Sequence, residues 1–134
     1  MEGNNKRTKI MVEFTYQQKI ATMRVLLDII HADGKVDARE TFLFDKMKEE
    51  FGLSDEDHVV VNGKNSLLAL TQIRLFDDEQ KAHLANLMSQ MIIVDEDINV
   101  NEVAVFDVVC DACGINVNFN DSISEEDIQH CTKS

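Results

Sequence analysis

The sequence predicts a single all-α domain of about seven helices, built from two related halves. Proline is absent and only five glycines occur in 134 residues, so few positions interrupt a helix. Apolar residues recur every three or four positions, which is the spacing of one helix face. In addition, the acidic segment 30–40 recurs at 92–102, an offset of 62 residues. Because only two copies occur, we expect a duplication within one core rather than a solenoid, with residues 1–134 forming one domain.

The ends of the predicted helices follow from glycine and from capping residues. Gly34 and Gly52 lie where helices should end, because glycine readily takes the positive φ of a helix C-terminus. Ser54 is a candidate N-cap for a short helix, and Asp77 or Asp78 for a later long one. The related halves are expected at about 12–62 and 74–124, and the helices at about 12–32, 38–51, 54–61, 67–73, 79–94 and 100–113, with a short last helix through Ile128 and a flexible end at 1–11.

Charge is distributed unevenly along the chain. The net charge is −12, of which residues 1–94 carry −3 and residues 95–134 carry −9. A negative field repels phosphate backbones and attracts cations or basic protein surfaces. We therefore expect that the protein does not bind nucleic acid and that its partner is a protein, of unknown identity. The alternative is that the surplus acid only keeps the protein in solution.

Targeting signals are not visible in the sequence. No apolar run approaches the ~20 residues that cross a membrane, and no apolar segment follows the basic N-terminal residues as in a secretory signal. The three cysteines form no framework of pairs, which favours a reducing compartment. We expect a cytoplasmic protein without membrane insertion.

The repeated segment has the pattern Asp-x-x-[Val/Ile]-[Asp/Asn]-x-x-Glu. Asp37 and Glu40 are three residues apart, as are Asn99 and Glu102, which is the spacing of a capping box. In that motif the first side chain accepts from the N3 amide and the Glu reaches back to the cap residue. Helix capping alone therefore explains half of the pattern, at ~1 kcal/mol per cap.

Capping does not explain the first aspartate of each copy, Asp33 or Asp95. Each lies at the C-terminal end of a predicted helix, where the helix dipole disfavours a negative charge by ~0.3–1 kcal/mol. A divalent cation held between the carboxylates would reverse that cost, and Ca²⁺ or Mg²⁺ is favoured over Zn²⁺. The candidate metal ligands are Asp33, Asp37 and Glu40 in the first copy and Asp95, Asp97, Asn99 and Glu102 in the second.

The repeated loop is not an EF-hand. Positions one and three of such a loop would be Ile29 and His31 in the first copy, and Met91 and Ile93 in the second. Because two oxygen ligands are missing from each copy, a single loop is expected to bind Ca²⁺ only in the ~10⁻⁴–10⁻³ M range. Two loops brought together by the duplication would bind more tightly.

These residues carry a family resemblance. A helix ending in the segment 32–40, followed by Phe44 and by 51–53, resembles the tellurite-resistance TerB-like family, and the N-terminal domain of DjlA-type membrane co-chaperones shares the motif. The resemblance covers about 12–115. It implies an all-helical domain with two similar halves, acidic clusters that bind a divalent metal, and a role in stress or tellurite-resistance modules without known catalysis. Neither a J-domain nor a membrane segment is visible in this sequence, so we do not expect the co-chaperone role to transfer.

The resemblance also assigns the acidic residues of each copy. Glu96 replaces the family's usual glycine and Asn99 a possible aspartate, which places the second ligand set in doubt, although Asp97 could substitute. The matching residues are Asp33, Asp37 and Glu40 for the first acidic motif, and Asp95, Asn99 and Glu102 for the second.

Other residue clusters give weaker indications. Cys110 and Cys113 form a CxxC within a predicted helix, and the repeat register places Cys113 in the core and Cys110 near the surface. His130 and Cys131 are the nearest other soft ligands. His31 is expected to face solvent. Neither a phosphate-binding glycine loop nor a nucleophile with an evident base occurs, so we expect a protein that is not an enzyme.

The leading functional prediction is a non-enzymatic helical binding module of the stress-response type, whose acidic loops bind a divalent cation and whose helical surface contacts a protein. The alternative is a plain interaction domain that docks a basic partner through its acidic C-terminal half, with the loops serving only as helix caps. A metal-dependent hydrolase is a third class, and it would need an open coordination position beside a pocket.

Overall fold

The computed structural model describes residues 12–94, 96, 98–117 and 119, and within these residues it contains six helices and no strand. The predicted all-α fold is confirmed. The predicted last helix and the end at 1–11 lie outside the described residues. In chain order the helices are α1 (Tyr16–Ile30), α2 (Ala38–Glu50), α3 (Asp55–Gly63), α4 (Ser66–Ile73), α5 (Asp78–Ile93) and α6 (Val100–Cys113).

Two of the predicted N-caps are confirmed, whereas α1 begins at Tyr16 after the N-cap Thr15 and ends at Ile30, inside the predicted range of 12–32. Ser54 and Asp77 are N-caps whose side chains accept from the N3 backbone amides of α3 and α5. Gly34, Gly52 and Gly114 follow α1, α2 and α6 with φ of 79°, 75° and 72°. These left-handed residues turn the chain away from each helix at a conformation that costs glycine little.

Helix α1 forms the centre of the domain and contacts each of the other five described helices. Nine of its 15 residues are buried, because helices pack on more than one side of it. The helical spacing of apolar residues in the sequence predicts one buried face, whereas α1 is buried on more than one. Tyr16, in its first turn, is exposed, and its hydroxyl donates to Asp57 Oδ1 over 2.8 Å.

Residues 62 positions apart in the sequence contact each other in the structure. The side-chain amide of Gln80 donates to Gln18 Oε1 over 3.0 Å, and that of Gln18 donates back to Gln80 Oε1 over 3.4 Å. Phe14 and Phe76 also contact each other, with ring centroids 5.6 Å apart. Corresponding residues of the two predicted halves therefore lie against each other, while the duplication itself stays a prediction from the sequence. Within the described residues, no helix is long and apolar enough to cross a membrane.

Candidate cation site at the paired loops

The two acidic loops lie side by side. The side-chain amide of Asn99, in the second loop, donates to Asp33 Oδ2, in the first, over 3.3 Å. Residues of both loops line one open groove of about 450 Å³. The structure thus brings four of the seven predicted ligands to one groove, namely Asp33, Asp37, Glu40 and Asn99. The lining residues are Asp33, Lys35, Val36, Asp37, Glu40, Asn99 and Asn101.

Three of the predicted ligands are not placed at this groove by the described residues. Glu102 is buried at 1% exposure and does not line it. Asp95 and Asp97 lie outside the described residues.

Asp33 has structural partners of its own. Its Oδ1 accepts from the backbone N–H of Lys35 over 3.0 Å, and its Oδ2 accepts from Asn99. The turn after α1 and the second loop each supply one hydrogen-bond donor. These two donors offset the unfavourable interaction of the Asp33 carboxylate with the C-terminal end of the α1 dipole. The position of this carboxylate is thus explained without a cation.

Asp37 is the N-cap of α2 and is paired with an arginine. Its Oδ1 accepts from the Arg39 backbone N–H over 2.7 Å, and the Arg39 guanidinium donates to Oδ1 and Oδ2 over 3.2 and 3.4 Å. The side-chain hydrogen bond from Arg39, followed by its backbone hydrogen bond, holds the pKa of Asp37 below the ordinary value. A cation that used this carboxylate would compete with the guanidinium.

The predicted capping box is confirmed in the first loop. Glu40 Oε1 accepts from the backbone N–H of Asp37 over 3.2 Å, and the Asp37 side chain caps the first turn of α2. In the second loop, Asn99 Oδ1 accepts from the backbone amides of Asn101 and Glu102 over 2.8 and 3.2 Å. The N-cap role of Asn99 is therefore confirmed as well.

Burial of the two motif glutamates is a feature that the sequence did not indicate. Glu40 is 2% exposed and Glu102 is 1% exposed. Charged side chains are rarely buried to this extent unless they are paired, so both glutamates belong to the structural framework of the loops.

The donor chemistry of the groove suits a hard cation, but the described residues do not complete a ligand set. Carboxylate and amide oxygens are the ligands that Ca²⁺ and Mg²⁺ prefer. Among the described residues, no group of three or more His, Cys, Asp or Glu side chains is arranged to hold a metal ion. A complete site would therefore have to draw on Asp95 and Asp97 in addition to Asp33 and Asp37.

The CxxC of α6 is buried. Cys110 and Cys113 are 4% and 0% exposed, and the Cys113 thiol lies 3.5 Å from the Leu70 carbonyl oxygen. Burial raises the pKa of Cys110 to about 12 and also raises that of Cys113, so both thiols stay protonated and unreactive. The expected surface position of Cys110 is wrong, because its counterpart Lys48 lies at a position that is itself only 13% exposed. His130 and Cys131 lie outside the described residues.

A second groove, of about 550 Å³, lies between α2 and α3 and was not indicated by any motif. The Lys48 ammonium lies 3.4 Å from His58 Nδ1 and 3.5 Å from Asp55 Oδ1. Ten residues separate Lys48 from His58 in the chain, and only the packing of the two helices brings them together.

His31, as expected, is exposed.

Comparison with known proteins agrees with the fold. Residues 6–61 match the family model described as tellurite resistance protein TerB, a segment that contains the first acidic loop but not the second. A solved structure of a protein of unknown function from Porphyromonas gingivalis W83 is similar with a TM-score of 0.70, over 90% of this chain and 99% of that chain, at 21% sequence identity. At that identity the similarity shows a shared fold. No curated protein matches this sequence.

Proposed function

We propose that this chain, a TerB-family protein through residues 6–61, is a non-enzymatic helical binding module that binds a divalent cation between its two acidic loops. The observation that carries the proposal is the contact between Asp33 and Asn99, because it joins the two copies of the motif at one groove. Two weak half-sites that face each other bind an ion more tightly than either alone. The family match supports a role in a stress or tellurite-resistance module.

The residues proposed to hold the ion are Asp33 and Asp37 of the first loop and Asp95, Asp97 and Asn99 of the second. When bound, the cation would neutralise carboxylates at the C-terminal end of α1. To present its amide oxygen to the ion, Asn99 would give up its hydrogen bonds from the backbone amides of Asn101 and Glu102, and the Arg39 guanidinium would release Asp37. Because the carboxylates of the groove are engaged by backbone and side-chain donors, we propose binding and not catalysis as the activity.

The compartment is part of the proposal. Cys110 and Cys113 are free thiols, which favours a reducing compartment such as the cytoplasm.

The test is thermal unfolding in the presence of Ca²⁺, Mg²⁺ or Zn²⁺, each titrated into the millimolar range. An ion present at one hundred times its Kd is expected to stabilise the protein by about 2.7 kcal/mol, which raises Tm. The Asp33→Asn/Asp95→Asn variant should lose this shift. As a matched control, Asp107→Asn/Asp111→Asn removes the same charge from exposed positions of α6 and should keep it. Equal shifts in both variants, or no shift in the wild type, would exclude the cation site.

A second candidate is favoured by the capping geometry. Asp37, Glu40 and Asn99 all bond to helix N-termini, as expected if the loops were only caps. In that case the module is an interaction domain that docks a basic partner through its acidic C-terminal half. An unchanged Tm at millimolar Ca²⁺ and Mg²⁺, together with salt-sensitive binding of a basic protein, would favour this candidate over the first.

A further inference from the structure

Helix α3 ends in an Asn–Gly pair, the only such pair in the sequence. In isolation these two residues favour a tight turn, but here Asn62 and Gly63 are the last two residues of the helix. Lys64, which follows them, is extended, with a ψ of 134°. The pair therefore lies where helical backbone gives way to extended backbone, and helix ends open more readily than helix interiors.

The surroundings of the pair leave it room to change conformation. Asn62 and Gly63 are both exposed. A Cβ placed on Gly63 would meet nothing within 4 Å. Glycine also has the widest choice of φ and ψ. The backbone at Gly63 can therefore rotate out of the helical conformation without meeting a neighbouring side chain.

The contacts that hold the end of α3 are made to its carbonyl oxygens. Arg24 Nη1, on α1, donates to the carbonyl oxygens of Asn62 and Val61 over 2.9 and 3.3 Å. The backbone N–H of Lys64 also donates to the Val61 carbonyl, over 3.1 Å. None of these three bonds involves the side-chain amide of Asn62. That amide is therefore held only by its own backbone.

We propose that Asn62 is a site of spontaneous deamidation in the folded protein, with isoaspartate among its products. Hydroxide removes the proton of the Gly63 amide, and the nitrogen attacks Asn62 Cγ. The N–Cγ bond forms, the Cγ–Nδ2 bond breaks, and Nδ2 takes up a proton from water and leaves as ammonia. Water then opens the cyclic succinimide. Opening at Cγ gives aspartate, and opening at the former main-chain carbonyl gives isoaspartate. Water is the only reactant consumed, and nothing is oxidised or reduced.

Asn65 provides an internal comparison, because it is exposed and lies only three residues further along the chain. It is the N-cap of α4, and its Oδ1 accepts from the backbone N–H of Leu68 over 3.1 Å. The next residue is Ser66, whose side chain hinders attack by its own nitrogen. Asn65 is therefore expected to stay intact under conditions that modify Asn62.

Isoaspartate would change the junction of α3 with α1. The chain would continue through Cβ with one additional carbon, and the carbonyl that accepts from Arg24 would become a free carboxylate. That carboxylate is the group that isoaspartyl methyltransferases esterify, so the product belongs to the substrate class of those enzymes. Neither Asn62 nor Gly63 lines the groove at the paired loops, and the proposal is therefore independent of cation binding.

The experiment keeps the full chain folded in a mildly alkaline buffer at physiological temperature and samples it over weeks. Peptide mass mapping follows the exchange of NH2 for OH at each asparagine. A purified isoaspartyl methyltransferase with a radiolabelled methyl donor measures isoaspartate. The wild type should be modified at Asn62 and not at Asn65. Gly63→Ala should react about tenfold or more slowly at Asn62, because a side chain at position 63 hinders the attacking nitrogen.

The same variant should keep the wild-type Tm, since Gly63 has open space around it. A matched pair of substitutions controls for the methylation assay. Asn62→Gln should lose the methylated peptide, whereas Asn101→Gln, at an exposed position of α6, should retain it. No modification at Asn62 in the wild type, or an unchanged rate in Gly63→Ala, would overturn the proposal. Modification of Asn62 that occurs only after unfolding in urea would overturn it as well.

Discussion

Asn99 holds its side-chain amide toward Asp33 and its side-chain oxygen toward the start of α6. One side chain thus caps a helix of the second half and donates to a carboxylate of the first. An aspartate at position 99 would accept the same backbone hydrogen bonds but could not donate to Asp33. The asparagine is therefore suited to a loop pair that holds together without an ion.

Replacement of Asn99 by Asp separates the structural role from the cation-binding role. Without divalent metal, Asn99→Asp is expected to lower the free energy of unfolding by about 1–2 kcal/mol, because a hydrogen bond is lost and two carboxylates face each other. With millimolar Ca²⁺ the variant should recover and show a larger rise in Tm than wild type. Urea unfolding with and without Ca²⁺ measures both effects.

Asn101→Asp is the control for that substitution. It adds the same charge to the first turn of α6, where a carboxylate is favourable, and it leaves the contact between Asn99 and Asp33 in place. We expect little loss of stability without metal. If Asn101→Asp and Asn99→Asp behaved alike, the specific pairing with Asp33 would not matter to the loop.

Gly34, in the turn that follows α1, has a φ of 79°, and a Cβ at this position would meet nothing within 4 Å. The cost of Gly34→Ala therefore comes from the backbone alone and is expected to be about 1 kcal/mol. Gly63 also has open space around it but lies at ordinary φ, as the last residue of α3. Gly63→Ala should be neutral or slightly stabilising in the same urea unfolding experiment. Equal destabilisation by both changes would contradict a conformational origin.

The features of this fold that the sequence predicts are local ones. The turn at Gly34, the caps Ser54 and Asp37, and the reach of Glu40 back to its cap each depend on residues within four positions of one another. Such interactions have the same geometry in any helix, so a spacing rule identifies them.

The features that the sequence does not indicate depend on packing between distant segments. The contact of Lys48 with His58 and the burial of Glu40 require the final arrangement of helices. The helical spacing of Leu67 and Leu68 does not predict that they are exposed, because a helix with apolar residues on two sides is normally buried on both sides. The guanidinium on Asp37 was missed for a different reason: Arg39 is near in sequence, but its rotamer is chosen by the fold.

The buried thiols of α6 should react only when the protein unfolds. In a Cys131→Ser background, Cys110 and Cys113 are expected to resist alkylation at about pH 8, because burial keeps both protonated and inaccessible. In urea both should react at the rate of ordinary cysteine. The measurement is the mass of the labelled protein as a function of time. Rapid labelling of either thiol in the folded protein would show that α6 opens on its own.

His83 packs against Phe14, with ring centroids 5.7 Å apart, in a cluster where Phe14 also contacts Phe51 and Phe76. Burial lowers the pKa of His83, and the charge of Glu50 only partly opposes this. The unfolded chain takes up a proton near the ordinary histidine pKa of about 6.5, whereas the folded protein does so only at lower pH. The contribution of neutral His83 to the free energy of unfolding is therefore fully present above the pKa of the unfolded histidine. It declines as the pH falls below that pKa, until His83 becomes charged in the folded protein as well.

Urea unfolding at several pH values between about 7.5 and 5 tests this linkage, since most carboxylates titrate below that range. The free energy of unfolding of the wild type should fall across the interval, and His83→Gln should make the fall shallower. His31→Gln, which changes an exposed histidine, should keep the wild-type slope. An identical slope in the His83→Gln variant would mean that the proton which destabilises the fold binds elsewhere, and that the aromatic cluster around Phe14 does not depend on a neutral imidazole.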